Sequence, residues 1–193
     1  MPCTADEIYD LQQRIAMHSD NVAYKELYVL FYKPLLQFGY SFVRSRETAE
    51  EIVSDVFINL WKKREGLTEI QNLRLYLFVS TKNTALNYLR SQNKRLIQAE
   101  QYQVQLQSIY FDPERLMITA EMVKLVQTAI RKLPPRCQLI FKLIKEDGLK
   151  YREVAELLHL SIKTVENQML TATKRIGESM SFDMLTTLNS SHK

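Results

Sequence analysis

Between Tyr24 and Phe42, apolar and aromatic residues return every three or four positions: Tyr24, Leu27, Tyr28, Phe31, Leu35, Phe38 and Phe42. That period belongs to a helix with one buried stripe and is incompatible with a strand, whose faces alternate every second residue. Asp20 stands where a cap for this helix is needed. The same rhythm recurs in Ala49, Ile52, Val53, Val56, Phe57 and Leu60, predicting a helix from about Arg46 to Lys63. Upstream, Thr4-Ala-Asp-Glu7 has the spacing of a capping box and opens a first helix to about His18. Residues 64–71, with Gly66, read as a loop, and a fourth, basic helix follows from about Asn72 to Asn93. With four glycines in 193 residues, turn-rich sheet is disfavoured, and the fold class expected is all-α.

The second half restarts after a stretch, Lys94 to Phe111, in which the period fades and Gln recurs at 98, 101, 103, 105 and 107. Asp112-Pro113-Glu114 is a helix start, with Asp as cap, Pro in the first turn and Glu behind it. That helix runs to about Leu133, another ends near Lys145, and Asp147-Gly148 closes it. There is no internal repeat. Two small helical domains are expected, 1–95 and 113–180, joined by a linker, 96–112, and followed by a tail, 181–193. A linker of some 17 residues at about 3.3 Å each reaches roughly 55 Å.

Residues 151–177 carry the sharpest motif. Val154, Leu157 and Leu158 form the inner face of a short helix, and Ala155 is small where a second helix would cross. Ser161 can cap that second helix, whose stripe is Ile162, Val165, Met169, Ala172 and Ile176. Its other face holds Lys163, Thr164, Asn167, Gln168, Thr171 and Lys174: amides and hydroxyls able to bond base edges, with lysines for phosphate. This is a helix-turn-helix, although two amphipathic helices of this kind also occur as plain packing. His159 sits at the turn where Gly is usual; a left-handed conformation is more tolerable for His than for a branched residue. A metal role for His159 is poor, since no ligand cluster has usable spacing.

Charge is segregated. The net charge is +4, with pI ≈ 9.0. No acidic residue falls between Glu69 and Glu100, or between Glu121 and Glu146, while Glu47, Glu50, Glu51 and Asp55 crowd one segment. Separate faces for a polyanion and for a basic partner explain this, as does ordinary solvated helix surface. The two cysteines, Cys3 and Cys137, give neither a disulfide framework nor a metal spacing and fit a reducing cytosol. No signal peptide or membrane span is expected, so the reading is a cytoplasmic protein without membrane insertion. No cofactor is expected. The histidines at 18, 159 and 192 are scattered, and neither a Gly-rich phosphate loop nor a nucleophile with an evident base is present, so an enzyme is disfavoured.

Taken together, Leu133-Pro-Pro-Arg-Cys-Gln-Leu-Ile-Phe141, Gly148-Leu-Lys-Tyr-Arg-Glu-Val-Ala-Glu-Leu-Leu158 and Ser161-Ile-Lys-Thr-Val-Glu-Asn-Gln168 resemble region 4 of the extracytoplasmic-function (ECF) sigma factors of the sigma-70 family. Thr48 to Trp61 and Leu73 to Arg90 resemble region 2 of the same family. The resemblance implies an alternative sigma factor that binds core RNA polymerase and promoter DNA. The acidic third helix, with Glu50, Glu51, Ser54, Asp55, Ile58 and Trp61, would dock on the clamp helices of the largest polymerase subunit. Trp61 is equally readable as core. The 64–71 loop and fourth helix would open and hold the −10 element, with Asn72, Arg74, Tyr76, Lys82, Asn83, Asn87 and Arg90 as candidates; Asn87 stands where the family usually has Asp. The helix-turn-helix would read the −35 element through Arg152 and, on its recognition helix, Lys163, Thr164, Asn167, Gln168, Thr171, Lys174 and Arg175, with Thr171 where Arg is frequent. The flap of the second-largest polymerase subunit and an anti-sigma factor are further implied partners. The rival is a helix-turn-helix regulator that binds duplex DNA without polymerase.

Overall fold

The computed structural model describes residues 4–92 and 120–190, with side chains over 4–92 and 125–179. In chain order the elements are α1 (Ala5–His18), α2 (Asn21–Val43), α3 (Arg46–Lys62), a 3-10 turn (Arg64–Glu69), α4 (Leu73–Gln92), α5 (Ala120–Arg131), α6 (Pro135–Lys145), α7 (Tyr151–Leu158) and α8 (Ile162–Ser190). No strand occurs among the described residues. The chain divides into two units on either side of Gln105 and Leu106. The expected linker at 96–112 and the helix start at Asp112-Pro113-Glu114 lie outside the described residues.

In the first unit the helix ends follow the side chains that can satisfy their free amides. Thr4 accepts from the Glu7 amide at 3.2 Å while the Glu7 carboxylate accepts from the Thr4 amide at 2.7 Å. Asp20 accepts from the Val22 and Ala23 amides at 2.8 and 3.1 Å and also binds Arg14 at 2.8 Å. The Ala23 bond and then Arg14 hold its carboxyl below the ordinary aspartate range. Ser45 caps α3 through the Thr48 amide. The core is Ile8, Leu11 and Ile15 from α1, Leu27, Phe31, Leu35 and Phe38 from α2, Ile52, Val53, Val56, Phe57 and Leu60 from α3, and Leu73, Leu77, Phe78 and Ala85 from α4. Phe38 and Phe78 meet edge-on with ring centres 5.1 Å apart. At Gly39, α2 lies close to both α3 and α4: a Cβ there would lie 3.5 Å from Thr81 Cγ2 and 3.9 Å from Ala49 Cβ. The segment expected as a loop at 64–71 is largely the 3-10 turn, with Leu67 as its single buried anchor.

In the second unit Ile130, Leu133, Cys137 and Ala172 form a buried cluster flanked by Val126, Phe141 and Ile176. Gly148 takes φ 71° and turns the chain out of α6, with the Leu149 amide donating to the Leu143 carbonyl at 2.9 Å. His159 adopts φ 52°, the left-handed conformation expected of it, and the Leu160 amide reaches back to the Ala155 carbonyl at 2.8 Å, closing α7. Ser161 caps α8 as expected, accepting from the Thr164 amide at 3.0 Å. The recognition helix does not end near 177; α8 continues through Gly177 to Ser190.

Candidate nucleic-acid and polymerase interface

The turn between α7 and α8 decides what α8 can present. Val165, Met169 and Ala172 are buried against α6 and α7, which leaves the opposite side of α8 outward. Lys163, Asn167, Thr171, Lys174 and Arg175 are exposed there, and Thr164 and Gln168 are half-buried at its edge. Arg152 is exposed on the first turn of α7. The structure therefore brings the expected recognition residues of α8 onto one outward side, while Arg152 belongs to α7. Four members of the set are already engaged: Lys163 pairs with Glu166 at 3.5 Å, Lys174 with Glu178 at 3.9 Å, the Thr171 hydroxyl donates to the Asn167 carbonyl at 2.9 Å, and the Thr164 hydroxyl lies 2.8 Å from that of Ser161. Exposed pairs of this kind exchange readily for a phosphate. Two apolar residues depart from expectation. Ile162, assigned to the buried stripe, is 46% exposed in the first turn, and Leu170 is 71% exposed beside Asn167 and Lys174. A lone leucine in a polar row is a weak periodicity signal, and the sequence reading passed over it.

On α4 the expected set separates. Tyr76, Asn83, Asn87 and Arg90 lie seven, four and three residues apart and share one outward face; Arg90 reaches the Asn87 carboxamide oxygen at 3.4 Å. Asn72 precedes the helix and spends its carboxamide oxygen on the Leu75 amide at 3.0 Å, so it is a cap. Arg74 lies on another face of α4. Lys82 stands apart: it falls on the stripe of Phe78, Thr81 and Ala85, is 8% exposed, and burial pushes its ammonium below the ordinary lysine range. It is not part of the exposed row.

On α3 the face Glu51, Ser54, Asp55 and Ile58 is exposed, and Glu47, which the candidate set omitted, continues it one turn earlier. Glu50 stands at its edge, bonded to Arg46 at 2.9 Å. Ile58 is 49% exposed. Trp61 is half-buried, with its ring 4.8 Å from that of Tyr24 and the Arg64 guanidinium 5.0 Å above it. Asn21, Tyr24, Ile58, Trp61 and Lys62 line an open cleft of about 330 Å³. Trp61 is thus neither fully core nor free: one side braces the fold and the other faces the cleft. An acidic helix beside an aromatic cleft has the chemistry to meet a basic, partly apolar partner.

A helix-turn-helix on one unit, with an acidic helix and a polar row ending in Arg90 on the other, is the arrangement of a DNA-binding protein that can also meet a protein partner. Residues 27–95 match the model of sigma-70 region 2, and residues 124–176 match that of sigma-70 region 4. Similar proteins include the ECF RNA polymerase sigma-E factor of Haemophilus influenzae, 27% identical over 140 residues that cover 68% of this chain and 74% of the relative. That of Escherichia coli K12 is 27% identical over 135 residues, covering 65% and 70%. Among solved structures, CnrH in complex with the cytosolic domain of CnrY aligns at TM-score 0.51 and 20% identity, covering 92% of this chain and 99% of that one. The sigma factor RpoE in complex with the anti-sigma factor NepR from Bartonella quintana aligns at 0.52 and 19%, covering 82% and 97%. The chain belongs to the sigma-70 family and, within it, to the extracytoplasmic-function sigma factors. Among the described residues no helix is long and apolar enough to cross a membrane.

Proposed function

We propose that this chain is an alternative sigma factor that binds core RNA polymerase and directs it to promoters with separated −35 and −10 elements. The observation that carries the reading is the pairing of region 2 and region 4 matches, in order, on two separate helical units. Residues 1–95 then act as region 2 and 113–180 as region 4, with 96–112 as tether and 181–193 as a C-terminal tail.

In this reading the Glu47, Glu51, Ser54, Asp55 and Ile58 face, with Glu50 at its margin and Trp61 in the adjoining cleft, docks on the clamp helices of the largest subunit. Region 4 rests on the flap of the second-largest subunit. Tyr76, Asn83, Asn87 and Arg90 hold the opened −10 strand, an aromatic ring and amides for bases and a guanidinium for phosphate. Arg74, on a different face, meets phosphate outside that row. Lys163, Asn167, Gln168, Thr171 and Lys174 enter the −35 major groove, where Leu170 can meet a thymine methyl. Arg152, Thr164 and Arg175 flank them toward the backbone.

The solved relatives in complex with CnrY and NepR support an anti-sigma factor as a further partner. A polymerase partner places the protein in the cytoplasm. Its work is recognition and strand holding, which needs no reacting group of its own.

The rival regulator and the sigma factor differ in one measurable respect. Anisotropy of a labelled promoter duplex should rise little with the chain alone and strongly with the chain plus sigma-free core. Tight, sequence-specific binding by the chain alone would favour the regulator. Within the complex, Asn167→Ala and Lys163→Ala should weaken the response to −35 changes, and Asp55→Ala should weaken core binding. Equal core-binding losses in all three would contradict this division.

A further inference from the structure

We infer that α1 is a splint that presets the 64–72 segment for strand capture, with Gln12 and Ser19 as its positioning residues. The inference rests on the reading of that segment as part of the −10 grip. The segment has little to hold it in shape by itself. Its 3-10 turn is six residues long, has no side-chain cap, contains Gly66 and buries Leu67. Turns of this type rarely persist beyond three or four residues, because their hydrogen bonds are poorly aligned.

Side chains of α1 and of its C-cap residue hold both ends. At the start, the Arg64 Nε donates to the Ser19 hydroxyl at 2.8 Å. At the far end, the Gln12 carboxamide nitrogen donates to the carbonyls of Leu67 and Ile70, the latter at 2.7 Å. Gln12 is 2% exposed, on the same side of α1 as the core residues Ile8, Leu11 and Ile15. A carboxamide at such a position costs stability unless its hydrogens are used, and an aliphatic residue would fill the place at no such cost. What the carboxamide adds is direction: two donors aimed at two carbonyls set where the backbone of 67–70 lies. The next residues are Gln71, exposed, and Asn72, which caps α4 one turn before Tyr76. The placement set by Gln12 therefore carries into the first turn of the strand-holding helix. Moreover, α1 precedes the region 2 match, which begins at residue 27.

A segment already in its capturing shape binds an unpaired base without an ordering cost, whereas a loose one binds in proportion to the fraction of time it is competent. Loosening the splint should thus lower discrimination at −10 and spare docking and −35 reading.

The test uses holoenzyme reconstituted from core polymerase and the full chain, on a promoter that it opens. Gln12→Met keeps the length of the side chain and removes both donors. Ser19→Gly suits the left-handed cap at φ 49° and removes the hydroxyl. Open complexes are measured by permanganate reactivity on the parent promoter and on one with a substituted −10 base. The expected result for Gln12→Met is a fall in that ratio of about fivefold, roughly one net hydrogen bond. Ser19→Gly should give a smaller fall, and in both variants core affinity and −35 discrimination should stay at parent values. Unchanged −10 discrimination in both variants overturns the inference. So does a parallel loss of core affinity, −35 and −10 response in Gln12→Met with Ser19→Gly at parent level, which marks a role in stability only. Thr68→Ala and Gln71→Ala, both at exposed positions of the segment, separate the layers. If they leave −10 discrimination untouched, the −10 reading of the segment falls and the inference with it. If they alter it while both α1 variants do not, the splint alone is refuted.

Discussion

Truncating Ile58 to alanine gives the docking face a quantitative test. About half of this side chain is open to solvent, 49%. Full burial of such a side chain is worth about 1.5–3 kcal/mol, so covering its exposed half against a partner contributes about 1 kcal/mol. One tenfold step in Kd is about 1.4 kcal/mol, which makes the loss about fivefold. Its place beside the Trp61 and Tyr24 rings raises the upper end, since a well-enclosed anchor costs about 2 kcal/mol on truncation, or about thirtyfold. The enclosed half contributes about 1 kcal/mol to the fold by the same arithmetic, so the variant should melt a few degrees lower yet remain folded when assayed in the cold. Titrating labelled chain with sigma-free core polymerase reads the affinity directly. Ile58→Ala should weaken it between about fivefold and thirtyfold, while Asn167→Ala leaves it unchanged. A folded Ile58→Ala variant with the parent Kd would refute the assignment of this face.

Other expectations follow from single residues. Gly39→Ala places a methyl group at ordinary contact distance inside α2 and should stabilise the first unit by about 0.5–1 kcal/mol, read as a higher Tm. His159→Gly relieves a left-handed residue and should raise the Tm of the second unit, with −35 binding retained; a lower Tm would show that the His159 side chain contributes more than its backbone costs. Burial pushes the Glu146 carboxyl above the usual range despite Lys142 at 3.9 Å. The folded state therefore favours the protonated form, and the charge costs stability at neutral pH. Glu146→Gln should raise the Tm at pH 7, with the gain shrinking as pH falls through the folded and then the unfolded carboxyl pKa; a gain independent of pH would contradict the account. Leu170→Ala should reduce preference for a thymine-bearing −35 element, measured by competition between two duplexes in the presence of core.

Periodicity made most of this architecture legible, because a buried stripe at three-and-four spacing depends only on which side chains avoid water. Caps were equally legible where a side chain bonds its own helix end, as at Thr4, Asp20 and Ser161. What escaped is how particular polar side chains are used, which residue type alone does not report. Lys82 reads as a cation in a basic helix, yet its position on the Phe78–Thr81–Ala85 stripe buries it, as the long aliphatic stem of lysine permits. Asn72 offers an amide that could meet a base, and local geometry spends it on the Leu75 amide. Gln12 counts as polar in any pattern, but its partners lie 55 and 58 residues away, beyond what local spacing reports. The recognition helix also runs on past 177: glycine often ends helices, yet the backbone of α8 passes through Gly177 to Ser190.

Run-off transcription with sigma-free core polymerase tests the central claim most directly. Adding the chain to core on templates carrying fragments of its source genome should produce discrete starts, each downstream of paired −35 and −10 elements. Those starts should weaken with Asp55→Ala and shift in −35 preference with Asn167→Ala. If the chain binds core and yields no promoter-specific start, or binds duplex operators tightly and never engages core, the sigma assignment is contradicted.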